Sequence, residues 1–190
     1  VRAFIIKSDT AYIDEEKQAF QSGRLDVVLN SILAAIISRR AGKLVARRNV
    51  VVIAVMPRND PPIIMINSNK LHDLIINEAD LLKFINKARK GDGELMGAQG
   101  NMETVIHNLK RDNYAIFYLH EKGIPISNFL PLSDKTAFIL GNQDGLSQTD
   151  ERLIKRQGIT AVSLGSRPYM TWECVAILNS ILDGAISFPS

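Results

Sequence analysis

The 190-residue chain carries a single cysteine, Cys174, which rules out an intramolecular disulfide and any multi-cysteine metal site. Long apolar runs are also missing. The nearest candidate, residues 27–38 (VVLNSILAAIIS), falls short of the roughly 18 residues that a membrane span requires and reads as a buried helix. The first residues include a strand-like RAFIIK with no charged-then-apolar leader, so a cytoplasmic location is the simplest expectation. Familiar catalytic signatures are lacking too. No G-x-G-x-x-G opens a helix after the first strand, which leaves a dinucleotide-binding unit without support. Gly42-Lys43 runs into Leu44 and lacks the earlier glycine of a phosphate-binding loop. His72, His107 and His120 are far apart and no H-E-x-x-H occurs, so no metal site is expected. There is no G-x-S-x-G nucleophile elbow.

The composition, 46% hydrophobic and 23% charged, is that of a globular protein, and the length suits one domain over 1–190 with a substantial core. A net charge of +3 tolerates a nucleic-acid partner without requiring one. The basic residues are clustered. Arg39, Arg40, Lys43, Arg47 and Arg48 form one group, and Lys83, Lys87, Arg89 and Lys90 another. Each group reads either as a solvated helix end and loop or as a surface for phosphates.

Apolar spacing predicts a helix over 22–40, with Leu25, Val28, Leu29, Ile32, Leu33 and Ile36 on one stripe and a stop at Gly42. Arg39 and Arg40 would then complement the negative pole of its last turn. The run at 50–56 (VVVIAVM) predicts a strand covered on both faces, with 63–66 paired beside it. Helices are expected over 77–90, with Leu81, Leu82, Phe84, Ile85 and Ala88 inward, and over 101–110. Glycines at 91, 93, 97 and 100 mark a loop and the best candidate for a mobile lid. Three more strands follow at 115–119 (AIFYL), 136–140 (TAFIL) and 159–164 (ITAVSL). A helix at 149–157 opens on Ser147-x-x-Asp150, close to a capping box. Strands alternating with helices indicate an α/β fold, a mostly parallel sheet layered by helices.

The last two strands run into glycine-bearing loops, 141–145 (GNQDG) and 165–170 (GSRPYM), and a helix-like stretch covers 171–183. Such loops place main-chain N–H and C=O groups at one sheet edge, where ligands of open α/β sheets bind. An adenosine-bearing cofactor suits a site of this kind. S-adenosylmethionine fits in particular, because its sulfonium is an activated methyl donor that needs no metal. The protein then has to orient the acceptor and take up or tolerate one proton.

Several segments, in order, carry a family likeness: 22–27 (SGRLDV), Tyr118-Leu119-His120, 138–145 (FILGNQDG), Asp150-Glu151-Arg152, Ser163-Leu164-Gly165, Cys174 and 179–183 (NSILD). Over nearly its whole length the chain resembles the TrmY-type members of the SPOUT methyltransferases, which N1-methylate pseudouridine in the T-loop of archaeal tRNA. The resemblance implies a SPOUT-type fold whose C-terminal part, residues 115–185, is tied in a deep trefoil knot, an exception to the rule against threaded chains. It implies an RNA partner, expected to be tRNA, and a homodimer that completes the substrate cleft. It also implies that Leu119, Gly141, the 163–169 loop (with Ser163, Leu164, Gly165 and Tyr169) and Cys174 contact S-adenosylmethionine, with Gly145 beside them. Plainer roles stay open: a strand residue for Leu119, a turn glycine for Gly141, a small buried hydrophobe for Cys174. On the acceptor side Asp26 is expected to take a hydrogen bond or proton from the base, and Arg24 to hold phosphate or steady that carboxylate. The same two residues could instead staple the first helix.

Two segments depart from the family pattern. A Ser-His, Ile-Arg and Asp arrangement after the first helix is replaced by 38–43 (SRRAGK), and a Thr-Pro-Gly-Ile segment with Val-Arg and Gly-Phe by 95–101 (LMGAQGN). The cofactor half therefore matches better than the substrate half. The alternative is a cofactor-binding knotted homologue with a changed RNA substrate or lost activity. An unrelated α/β enzyme acting on a small nucleotide is a third reading.

Overall fold

The computed structural model describes residues 1–14, 16–89, 96–165 and 167–186, with the Ala88 side chain outside the description. In chain order the strands are β1 (Arg2–Lys7), β2 (Ile37–Arg40), β3 (Lys43–Ala46), β4 (Val50–Val55), β5 (Ile63–Asn67), β6 (Met96–Ala98), β7 (Ala115–Pro125), β8 (Thr136–Leu140) and β9 (Thr160–Ser163). The helices are α1 (Leu25–Ile36), α2 (Glu78–Arg89), α3 (Met102–Arg111), α4 (Gln148–Arg156) and α5 (Thr171–Leu182). Seven strands form one sheet in the order β6-β5-β4-β1-β8-β7-β9. The five from β4 to β9 in that order run parallel, and β5 and β6 extend it antiparallel.

Strand β1 has apolar residues on both sides because both faces of the sheet are covered. Phe4 and Ile6 join a core with α1, α2 and α5, while Ala3 and Ile5 face α3 and α4. Register is held by an aromatic ladder. Phe138 of β8 lies opposite Phe4 of β1 and Phe117 of β7, with ring centroids 6.1 and 6.0 Å apart. A one-residue slip would turn a ring to the other face and forfeit about 0.5–1.5 kcal/mol per pair beyond area burial. The ladder therefore keeps the carboxyl ends of β1, β8 and β7 level.

The predicted helix over 22–40 is shorter than expected at both ends. Gly23 and Arg24 are both left-handed, at φ 65° and 62°, so α1 starts only at Leu25. At the other end Ile37 is extended, and the Arg39–Arg40 segment pairs back on Lys43–Leu44 as the hairpin β2–β3. Its two-residue turn, Ala41–Gly42, has positive φ at both positions, the conformation that matches strand twist. Arg39 and Arg40 thus do not cap a helix. Helix α2 meets expectation, with Leu81 and Ile85 buried and Leu82 and Phe84 packed partly against the same core.

Of the glycine-rich stretch, 91–95 lies outside the described residues, as does Lys90. The described part, Met96–Ala98, is edge strand β6 paired to β5. That puts it four strand positions from β8, roughly 19 Å away, so this part of the stretch is not a free flap. Ser147 caps α4 through its hydroxyl, which accepts from the Asp150 N–H and donates to the Asp150 carboxylate. This is half of the expected box, because Asp is too short to reach back to the cap's own N–H. Among the described residues no helix is long and apolar enough to cross a membrane.

Helix α5 is pinned to the rest of the molecule by polar groups. Asn179, 1% exposed, donates to the carbonyls of Ala34 and Ala35 at the end of α1 and accepts from Arg2 at 2.9 Å. Asp183 pairs with Arg2 at 2.8 Å and also with Arg47. Burial pushes the Asp183 carboxyl up, but the hydrogen bonds and charges of Arg47 and Arg2 outweigh it and hold it below its ordinary 3.8. A depressed carboxyl stabilises the fold above its unfolded value and loses that contribution as pH falls through its folded value. Asp183→Asn should therefore lower stability at pH 7 by about 1 kcal/mol, discounted for partial exposure, or roughly 2–4 °C in Tm. The gap to the parent should close as the pH drops below 3.8. Equal melting temperatures at neutral pH would contradict the assignment.

Candidate functional site

Parallel strands β8, β7 and β9 all finish at one edge, and there the chain encloses a cavity of about 370 Å³. That volume is within the range of small-molecule pockets. Leu119, Gly141, Gly145, Ser163, Leu164, Gly165, Tyr169 and Cys174 all line it. Much of the wall is main chain, and close contacts explain why. A Cβ on Gly141 would lie 2.3 Å from the Gly145 carbonyl carbon, so only glycine lets the loop after β8 fold back on itself. The Gly145 N–H closes this turn on the Asn142 carbonyl at 3.0 Å.

The turn is tied on both sides. Thr171, at the start of α5, donates to the Gly141 carbonyl at 2.7 Å. Asn142, 9% exposed, donates to Ser8 and Thr10 at 3.3 Å each. Nearby, Ser163 holds Gly165 in position, accepting from its N–H at 3.1 Å and donating to its carbonyl at 2.9 Å. Ser166, within this loop, lies outside the described residues. Lys7, 5% exposed at the end of β1, pairs with Asp9 and with Asp150 at 3.3 Å, anchoring the first turn of α4 to the sheet edge.

Other lining residues escaped the sequence reading. Strand β7 does not end at Leu119. Leu119 and Ile124 both sit opposite Val162, so 120–123 bulge outward. Gly123 permits this, since a Cβ there would meet the Val162 main chain at 2.5 Å. The bulge brings His120 and Glu121 to the cavity, where Asp144 and Glu151 also line the wall, together with Arg167 of the expected 163–169 loop. The carboxylates of Glu121, Asp144 and Glu151 outnumber the single Arg167, which suits a cationic ligand. Gln143 adds a wall acceptor, Oε1, that is buried without a hydrogen-bond partner among the described residues. A buried orphan acceptor is uncommon, and a donor on a ligand in the cavity would satisfy it. A second, more open hollow of about 620 Å³ shares Tyr118, His120 and Glu151 and extends along Gln148, Arg152 and Lys155 of α4.

Arg24 and Asp26 are outside the cavity lining. They form a two-point pair, with Arg24 Nε and Nη2 each 3.0 Å from an Asp26 oxygen. Hydrogen bonding and charge from Asp26, and more weakly the charge of Asp144 in the cavity wall, raise the Arg24 guanidinium above its ordinary value. The link to the cavity is also mechanical. Thr10, which accepts from Asn142, donates to the Gly23 carbonyl at 2.9 Å, one residue before Arg24. No group of three or more His, Cys, Asp or Glu side chains that could hold a metal occurs among the described residues.

Known proteins resemble this chain over nearly its whole length. The family described as "Putative SAM-dependent RNA methyltransferase" matches residues 1–186. The tRNA (pseudouridine(54)-N(1))-methyltransferase of Methanococcus maripaludis is 26% identical over 199 aligned positions, covering 96% of this chain and 98% of its own. The protein of the same name from Thermococcus gammatolerans is 30% identical over 209 positions, covering 100% of both. Among solved structures, Archaeoglobus fulgidus Nep1 bound to S-adenosylhomocysteine matches with a TM-score of 0.63 at 15% identity, over 96% of this chain and 98% of its own. Sheet order, flanking helices and this likeness define the fold as SPOUT-type α/β. The chain belongs to the SPOUT family of S-adenosylmethionine-dependent RNA methyltransferases, in its TrmY-like branch.

Cys174 lines the cavity, and burial, with the nearby Glu173 charge, pushes its thiol up to about 11. It is therefore a protonated wall group at neutral pH, not a nucleophile. Alkylation by iodoacetamide should be barely measurable at pH 7 and climb about tenfold per pH unit toward 11. A rate that levels off near the ordinary thiol value would overturn this.

Proposed function

We propose that this protein transfers a methyl group from S-adenosylmethionine to N1 of a pseudouridine in tRNA. The observation that carries the proposal is the cavity, whose lining contains all eight residues expected at the cofactor. Its acidic excess and the orphan Gln143 acceptor suit a ligand with cationic and amine groups. When bound, the cofactor supplies an activated methyl group. The protein's own work is to hold and orient. Gly141, Gly145 and the Ser163–Leu164–Gly165 loop offer main-chain contacts, while Leu119, Tyr169 and Cys174 offer apolar surface. Asp26 receives a hydrogen bond or proton from the acceptor base, and Arg24 fixes the orientation of its carboxylate. The Asn142–Thr10–Gly23 hydrogen bonds set the distance between that pair and the cavity.

The working unit is one domain over 1–190, with residues 115–185 threaded as a trefoil knot. The Thr171–Gly141 tie, which draws α5 against the end of β8, supports this. It acts as a homodimer in the cytoplasm, where its tRNA substrate would be found. Tyr169 and Trp172, 40% and 39% exposed beside the cavity, are apolar surface that a second copy would cover.

Labelled methyl groups should pass from the cofactor to tRNA that contains pseudouridine and not to tRNA that lacks it. No transfer to either would end the proposal. Asp26→Ala should lower turnover by about 10²-fold or more while leaving cofactor affinity within about twofold. A large loss of cofactor binding would put Asp26 on the wrong side of the cleft. Calorimetry should show Gly141→Ala weakening cofactor binding by at least about tenfold, because backbone must move. Gly145→Ala, which meets nothing within 4 Å but sits at φ +79°, should cost only about 1 kcal/mol of backbone strain. Equal effects from the two substitutions would remove the close-approach argument.

A further inference from the structure

The basic hairpin β2–β3 has no part in the cavity and no internal reason for its charges. Arg40 and Lys43 lie directly opposite each other in the antiparallel register, and Arg39 lies opposite Leu44. Residues opposite one another share a face, and like charges so placed destabilise a strand pair. All three cations are exposed, and none has an ion pair or side-chain hydrogen bond among the described residues. Their neighbour Arg47 shows the contrast, since Asp183 engages it. Arg48, on the other flank, is exposed and among the described residues its side chain bonds only to the Asn69 carbonyl at 3.4 Å, beside exposed Lys70. Arg40 and Lys43 therefore share one face of the hairpin and Arg39 projects from the other, so the amino edge of the sheet carries a two-faced cationic loop with no ion pair among the described residues.

The cationic loop is remote from the chemistry. Helix α1 leaves the Arg24–Asp26 pair and runs 12 residues back across the sheet before the hairpin begins, a distance of roughly 18 Å. Positive charge at that remove cannot stabilise the reacting atoms. It can hold a long polyanion whose target nucleotide lies at the other end.

We infer that the β2–β3 hairpin is a docking element for the phosphate backbone of the RNA substrate, gripping a helical stem away from the modified base. This rests on the reading of the protein as an RNA methyltransferase. Stems are recognised chiefly by shape and backbone contacts, and backbone contacts set affinity and salt dependence without specifying sequence.

The test compares the full chain with the triple variant Arg39→Gln, Arg40→Gln, Lys43→Gln and a charge-keeping swap, Arg39→Lys, Arg40→Lys, Lys43→Arg. Affinity for tRNA is measured by fluorescence anisotropy across a salt series, alongside steady-state methyl transfer and thermal melting. The neutral triple should melt like the parent and bind tRNA roughly tenfold or more weakly at low salt, with a log–log salt slope smaller by about 2–3. Its KM for tRNA should rise in step while kcat stays within about twofold. The charge-keeping swap should remain close to the parent. Unchanged affinity and slope in the neutral triple would sink the proposal even if methyl transfer is robust, as would a fall in kcat at constant KM or an equal loss in the swap. A parent that binds tRNA through the hairpin without methylating it would leave docking intact and refute the proposed activity. A parent that binds no tRNA, or prefers anionic vesicles, refutes docking.

Discussion

The main chain at Gly141 passes so close to Gly145 that a methyl group on it would lie 2.3 Å from the next backbone carbonyl. That approach bends the exit of β8 into a tight turn, and the residues of the turn form one wall of the cavity. The turn is not left to hold itself. Thr171 grips it from α5 and Asn142 fastens it to the loop after β1. A recess built this way from backbone and short polar side chains is organised before any ligand arrives, which removes much of the ordering cost of binding.

The same fastening reaches the Arg24–Asp26 pair. Thr10 joins the bound Asn142 to Gly23, and the next residue, Arg24, holds a left-handed conformation that costs a non-glycine residue about 1–2 kcal/mol. Strain of this kind persists where surrounding structure over-determines it and gathers at functional positions. Here the Gly23 contact, the Asp26 pair and the start of α1 all impose it. The molecule consequently divides by edge. The cavity lies where the parallel strands end, and the exposed Arg39, Arg40 and Lys43 stand where they begin.

Much of this was legible from the amino acids. Parallel strands covered on both faces announce themselves as continuous apolar runs, so β1, β4 and β8 were found nearly to the residue. Glycine loops after β8 and β9 pointed to the edge where the cavity lies, and the eight residues named from the family likeness all line that cavity. What failed to show had physical causes. The stripe through Ile36 continues into Ile37 without a break in hydrophobicity, so only the Ala41–Gly42 turn signals that the chain has become a hairpin. The bulge of β7 depends on Gly123 meeting Val162, a residue far along the chain, and no local pattern records such a contact. For that reason His120 and Glu121 were not expected in the wall. Lys7, Asp9 and Asp150 come together only through tertiary packing.

The central claim is that loop backbone at the carboxyl edge forms the seat for the methyl donor. A titration of S-adenosylmethionine into isotopically labelled protein, followed through backbone amide resonances, tests it directly. Perturbations should concentrate at 141–145 and at the described residues of 163–169, with smaller ones spreading to Thr10 and Gly23. Shifts centred on the β4–β5 edge, or none at saturating ligand, would contradict it.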